Sequence, residues 1–384
     1  MSKSLFKKKK RKVRPRQSHS SGQSHLFDMP ILLVTLLLLV IGVIAVFEAS
    51  IIQAYNQFGD ELFFAKRQLQ WATIGFIVMM VTAYSPIEYT KKLAVPFFIV
   101  SLLLLVLVLI PGLGTKIGGA TRWLDIGFFS FQPSEVSKLA IIFYFAALFE
   151  KSSKLVPFLG SLAITAGLIM LQPDLGTTII ISVVSIAIYF IAGAKWKEIV
   201  TIGVSGLTLG SILILSSPYR LARLMTFLDP NADPQGASYH IRQIIISLGS
   251  GGLVGTGIGR SLQKYRYLPE ATTDSIFAVI GEETGFIGSI FIIGLFTMIA
   301  YRGLKIAQGL DDPFLRLTAV GLTVMIVSQA FLNLGAMGAI VPLTGITLPF
   351  ISYGGSSLIV SLAAVGLLLN ISRYTQVRHG KRKR

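Results

Sequence analysis

Asp274 closes the run Tyr267-Leu268-Pro269-Glu270-Ala271-Thr272-Thr273-Asp274 and stands directly before Ser275-Ile276-Phe277-Ala278-Val279-Ile280. It is therefore expected at the N-terminus of an apolar helix, where two roles fit. An aspartate there can cap the helix by accepting hydrogen bonds from its first free N–H groups. The same helix end favours the ionised carboxylate, which suits a general base or a cation ligand. Glu270, one turn earlier, either assists it or is simply solvated. Glu282 and Glu283 follow roughly 12 Å further along at 1.5 Å per residue. Carboxylates inside an apolar run are costly and normally face a polar interior or a partner. As neighbours they point about 100° apart and cannot serve one partner equally. They are read as functional candidates, or as a structural pair such as Glu282 with Lys138.

Three further constellations bear on chemistry. Gln132-Pro133-Ser134-Glu135 opens a helix that carries Lys138, with Pro133 suited to the first helical position and Glu135 to the first turn. Upstream, Arg122 is a lone cation whose guanidinium could grip phosphate bidentately or snorkel to lipid headgroups. Gln172-Pro173-Asp174-Leu175-Gly176-Thr177-Thr178 is a tight turn in which Asp174 is expected to cap the following helix. Leu348-Pro349-Phe350-Ile351-Ser352-Tyr353-Gly354-Gly355-Ser356-Ser357 reads as non-helical backbone, with Ser352 and Tyr353, walling a pocket at membrane depth. The glycines of 249–259 lack a following G-K-[ST] and a β-α-β context, so they are flexible backbone rather than a nucleotide loop. There is no cysteine, and the four histidines (His19, His25, His240, His379) show no ligand spacing, which leaves only oxygen ligands for any metal.

The elements that must position these groups are set by composition. Of 384 residues 53% are apolar and 14% charged, against about 25% charged in a soluble domain, although the net charge is +17. About ten runs are long and apolar enough to be read as membrane helices: 29–50, 69–84, 93–111, 137–150, 156–172, 176–193, 199–216, 275–301, 314–338 and 355–372. The fold expected is an all-α integral membrane protein of about ten transmembrane helices, with a long extracytoplasmic loop, 217–274, between helices 7 and 8. That excludes a soluble enzyme and argues against a nucleic-acid binder. Basic residues concentrate in 1–27, in short connections and in 373–384, which places both termini in the cytoplasm. Residues 1–27 read as a disordered basic arm, 28–373 as the polytopic domain and 374–384 as a basic tail. Within the long loop, Tyr219–Leu228 and Tyr239–Leu248 have amphipathic patterns suited to helices at the headgroup layer or packed on the bundle.

Taken together, these motifs resemble the SEDS family of shape, elongation, division and sporulation proteins, typified by RodA and FtsW. The resemblance runs from about residue 28 to residue 373. It rests on Arg122-Trp123, Phe131-Gln132-Pro133-Ser134-Glu135 with Lys138, Gln172-Pro173-Asp174 with Gly176-Thr177, Gln263-Lys264-Tyr265 with Leu268-Pro269-Glu270-Ala271 and Thr273-Asp274, and Leu348 to Ser357. Tyr267 to Ala271 and Gly345 to Pro349 lean toward FtsW. Two positions depart from the family pattern: Thr272 stands where His is expected and Ser275 where Phe is expected.

Family membership implies a peptidoglycan glycosyltransferase that polymerises lipid II into glycan strands at the outer face of the cytoplasmic membrane. It implies a class B penicillin-binding protein as partner, alongside other division or elongation membrane proteins. It also matches Asp274 to the family's essential outer carboxylate. Undecaprenyl diphosphate would leave with its charge offset by Arg122, Lys138, Lys264 or a divalent cation (Mg2+ or Mn2+), with no organic cofactor. Glu270, Asp174, Glu282, Glu283, Ser352 and Tyr353 complete the expected substrate-binding set. Two other classes fit the sequence: a lipid II flippase, with Glu282, Glu283 and Lys138 lining a path, and a non-catalytic scaffold for a transpeptidase.

Overall fold

The structure, a computed structural model, describes residues 27–117, 120–125, 127, 130–150, 154–230, 238–261 and 268–375. The basic arm and tail lie almost wholly outside the described residues, and Lys264 lies outside them too.

Each of the ten apolar runs falls on a helix: α1 (Met29–Phe58), α2 (Phe63–Tyr84), α4 (Ala94–Leu107), α5 (Pro133–Leu148), α6 (Leu155–Leu171), α7 (Leu175–Ile191), α8 (Trp196–Leu215), α11 (Ile276–Gln308), α12 (Pro313–Met337) and α13 (Gly355–Ser372). The short α3 (Ile87–Lys92) and the amphipathic α9 (Pro218–Leu228) and α10 (Tyr239–Gly251) complete the helices among the described residues. α1, α8, α11, α12 and α13 are long and apolar enough to cross a bilayer, and α4, α6 and α7 are shorter apolar helices. Helix starts follow local chemistry. Asp28 and Asp312 cap α1 and α12 by accepting from Ile31 and Leu315, and proline occupies the first turn of α1, α5, α9 and α12.

α12 and α13 form the centre, with most of their residues buried. α13 packs chiefly on α2, α11 on α12 and α10, α4 on α5, and α12 on α7. At the periphery, α8 has no buried residue and touches α7 and α9. The body is helical as expected, while the connection 112–136 adds a small antiparallel sheet in the order β1 (Gly114–Ile117), β2 (Ala120–Asp125), β3 (Ser130–Phe131).

α1 and α11 overrun their apolar stretches, at 30 and 33 residues. Hydropathy marks where the lipid ends, whereas helical hydrogen bonding continues beyond it. α11 is interrupted at Gly285, whose φ of 67° and ψ of −162° are not helical. The backbone groups freed there meet the segment after α10. Phe286 and Ile287 N–H donate to Gly252 and Leu253 carbonyls, and Thr256 and Gly257 N–H donate to Glu282 and Glu283 carbonyls. This is how a broken helix satisfies its backbone in an apolar setting.

Candidate active site

Asp274 sits on the turn that leads into α11. Thr273 and Ser275 N–H both donate to the Glu270 carbonyl, and Glu270 adopts a left-handed φ of 50°. The expected cap is corrected here: Ser275, not Asp274, is the N-cap residue of α11, and its side chain makes no capping bond. The Ser275 hydroxyl instead meets His240 Nε2 of α10 at 2.7 Å. The Asp274 carboxylate is thereby released from the helix end and faces other groups.

Two anchors hold this turn by its backbone. Asn333 of α12, almost fully buried, donates through Nδ2 to the Asp274 carbonyl at 2.7 Å and to the Ile346 carbonyl at 2.7 Å. Tyr353 N–H donates to the Thr272 carbonyl at 2.9 Å. Gln329, one turn before Asn333, donates to the Thr347 carbonyl at 3.1 Å and to Ser357 Oγ at 3.2 Å. Its Oε1 accepts from Lys138 Nζ at 2.6 Å. A polar line along α12 thus runs from Lys138 to the backbone of Asp274.

The electrostatics of Asp274 differ from the sequence expectation. A helix end alone would lower its pKa, yet its pKa is pushed up to about 6. Burial is the main cause and the neighbouring Glu270 charge the second; the Asp274 N–H, Arg223 and the Thr273 hydroxyl act in the opposite sense. Thr273 Oγ1 lies 2.8 Å from Glu270 Oε2 and 3.3 Å from Asp274 Oδ1. Such a carboxylate is a stronger proton acceptor than a free one and is still mostly ionised at neutral pH. His240 is shifted down by burial and by Arg223, which keeps its imidazole neutral near pH 7.

The other expected residues form separate groups. Arg122, on β2, donates through Nε to the Gln172 carbonyl at 2.9 Å and through Nη2 to the Pro173 carbonyl, so it clamps the α6–α7 turn. Asp174 caps α7 as expected, accepting from Thr177 N–H at 3.0 Å, and also accepts from Gln132 Nε2 at 3.1 Å. Lys138 is buried and pairs with Glu135, at 2.8 Å, rather than with Glu282. Three residues apart on α5, the two share one helix face. Glu282 accepts from Ser261 Oγ at 2.5 Å, and Glu283 from Gly259 N–H at 3.1 Å, so both carboxylates hold the 252–261 segment against α11. Ser352 Oγ accepts from Leu348 N–H at 2.8 Å, and Tyr353 packs edge-on against Phe64. These two shape the wall behind the Asp274 turn. Among the described residues no three His, Asp or Glu side chains gather to hold a metal ion, so no step is assigned to the expected divalent cation.

Sequence reasoning missed Arg223, His240, Gln329 and Asn333. The last two carried a legible signal, since an amide side chain within an apolar helix needs a partner. Arg223 and His240 lay on the amphipathic helices without any local mark of their destination.

Residues 29–377 match the cell cycle protein family of FtsW, RodA and SpoVE. The chain is 44% identical over 361 residues to the stage V sporulation protein E of Bacillus subtilis, covering 91% of this chain and 98% of that protein. It is 41% identical over 354 residues to a probable peptidoglycan glycosyltransferase FtsW of Trichlorobacter lovleyi, covering 90% and 93%. Among solved structures it is similar to one chain of a peptidoglycan synthase complex that coordinates polymerization and crosslinking, with a TM-score of 0.74 and 27% identity over 90% of this chain and 98% of that one. It is also similar to the rod shape determining protein RodA of Thermus thermophilus, with a TM-score of 0.68 and 26% identity over 90% and 97%. With the helical membrane fold and these likenesses in agreement, the chain belongs to the SEDS family of multi-pass membrane proteins and is FtsW-like within it.

Proposed function

We propose that this protein is a peptidoglycan glycosyltransferase that polymerises lipid II at the outer face of the cytoplasmic membrane, with both termini in the cytoplasm. The observation that carries the reading is the Asp274 carboxylate, raised toward neutrality and held by its backbone from α12 and from the 341–354 segment. Relatives named peptidoglycan glycosyltransferase support it.

In the proposed step Asp274 takes the proton of the acceptor's sugar 4-hydroxyl. The hydroxyl oxygen attacks the anomeric carbon of the donor chain from the side opposite the lipid diphosphate. The bond from that carbon to the diphosphate oxygen breaks, its electron pair stays on that oxygen, and configuration inverts. A diphosphate needs little acid assistance to depart once its charge is offset. The similarity to a chain of a peptidoglycan synthase complex supports a penicillin-binding protein as the working partner.

Purified full-length protein, with a class B penicillin-binding protein and lipid II in detergent, is expected to form glycan strands. Asp274→Asn is expected to reduce this at least about 100-fold, the scale on which a general base contributes. Glycan formation by Asp274→Asn at the wild-type rate overturns the mechanism. A wild type that forms no glycan but moves lipid II across vesicles favours the flippase reading.

A further inference from the structure

The proposed reaction needs a cation where the diphosphate departs; of those expected from the sequence, Lys264 lies outside the described residues and Arg122 and Lys138 are engaged elsewhere. Arg122 clamps the Gln172 and Pro173 carbonyls, and Lys138 is buried against Glu135 and Gln329. Arg223 of α9 stands beside Asp274 instead. It is half-buried, its Nη1 donates to the Leu343 carbonyl at 2.9 Å, and its charge acts on both Asp274 and His240.

Gly345 shows what lies between the two groups. A Cβ there would come within 4 Å of two atoms beyond its chain neighbours, Arg223 Nη1 at 3.8 Å and Asp274 Oδ2 at 3.9 Å. The guanidinium and the carboxylate therefore both stand within van der Waals reach of the same glycine. Depth agrees with this placement. α9 exposes Met225 and Leu228 on its apolar side, as a helix lying in the headgroup layer does, and phosphates of membrane lipids sit in that layer. Arg220, three residues before Arg223, is placed differently: its Nη1 donates to the Leu213 carbonyl at 2.9 Å, near the end of α8.

We infer that Arg223 binds the diphosphate of the lipid-linked donor beside Gly345 and Asp274, an assignment that rests on the glycosyl-transfer reading. As the acceptor oxygen bonds to the anomeric carbon and yields its proton to Asp274, the electron pair of the breaking carbon–oxygen bond settles on the diphosphate. A planar guanidinium carries five N–H donors in a fork that matches phosphate oxygens, so it can hold a phosphate while keeping protein partners.

The test is the affinity of the full-length, detergent-purified protein for geranyl diphosphate, a soluble short-chain prenyl diphosphate, measured by thermophoresis alongside the melting temperature. Arg223→Gln is expected to weaken binding about 10- to 100-fold, the range for losing a charge-assisted hydrogen bond. Arg220→Gln, with the same change of charge, is expected to leave binding unchanged. The assignment is overturned if wild type does not bind, if Arg223→Gln binds within twofold of wild type, or if Arg220→Gln weakens binding equally. Should Arg223→Gln fail to fold, Arg223→Lys decides. It retains a charge and a donor for Leu343 but not the planar fork, and undiminished affinity overturns the assignment. Because binding needs no turnover, a wild type that binds the diphosphate yet forms no glycan counts against the function and not against this site.

Discussion

A base that removes a sugar hydroxyl proton works best when its own proton affinity is high but it is still ionised at the working pH. Asp274 meets both demands through burial and the Glu270 charge, which together place its pKa at about 6. Glycan formation should therefore fall about tenfold per pH unit below pH 6. Glu270→Gln removes a raising influence, so the acid limb should move to lower pH; a limb that stays in place would mean another group titrates there. The same shift has a stability consequence. Between 3.8 and about 6 the folded protein holds this proton more tightly than the unfolded chain does, so stability is lost as pH rises through that window. Asp274→Asn should accordingly melt higher than wild type at pH 7.5, with the difference closing toward pH 4. That separates lost catalysis from misfolding. Asp274 was legible because its place before an apolar helix is local. What surrounds it was not, since Arg223 and Gly345 beside the carboxylate and Asn333 on the backbone carbonyl come from three distant stretches. His240 is an instructive case. The resemblance leads to the expectation of a histidine at 272, where this chain has Thr272, and the imidazole that meets the turn is that of His240 on α10, through Ser275.

At the scale of elements, the ten apolar runs announced their helices because apolar side chains facing lipid and core leave few other choices of backbone. The break at Gly285 was hidden, since Glu282-Glu283-Thr284 before it are compatible with helix, the apolar run resumes at Phe286, and only the tertiary partner reveals it. The three strands near Arg122 were hidden for another reason: at two to six residues each, they are too short for alternation to register. The glycines of 249–259 were read as flexible backbone; Gly249 and Gly251 instead lie within α10, and the structure shows which of these glycines come close to α11. A Cβ at Gly255, whose φ is 83°, would lie 2.1 Å from the Glu283 carbonyl oxygen, whereas one at Gly249 would meet nothing within 4 Å. Gly255→Ala should cost about 2–4 kcal/mol from left-handed strain plus overpacking. Gly249→Ala, within α10, should gain up to about 1 kcal/mol through helix propensity. Thermal unfolding of the two variants in one detergent checks the contrast, and equal effects would show that the 252–257 segment is not wedged against α11.

On the scale of the whole molecule, a net charge of +17 on a chain that is 53% apolar is a statement about sides rather than about a charged globule. Twenty-four of the 35 Lys and Arg residues fall on segments expected in the cytoplasm, where they are drawn to anionic lipid. If that orientation holds, the Asp274 turn and both amphipathic helices face outward, where a lipid-linked sugar already translocated would be met. The opposite orientation would put the proposed base on the wrong side for wall synthesis, so topology tests the function as well as the fold. The absence of cysteine makes the measurement direct, because any thiol introduced is the only one. Asn56 near the end of α1 and Lys195 at the start of α8 are both exposed and are expected on opposite sides. In intact spheroplasts a membrane-impermeant maleimide should label Asn56→Cys at once and Lys195→Cys only after the membrane is opened. Labelling of Lys195→Cys in sealed spheroplasts, with Asn56→Cys protected, would invert the molecule and remove the outward-facing site on which glycan polymerisation depends.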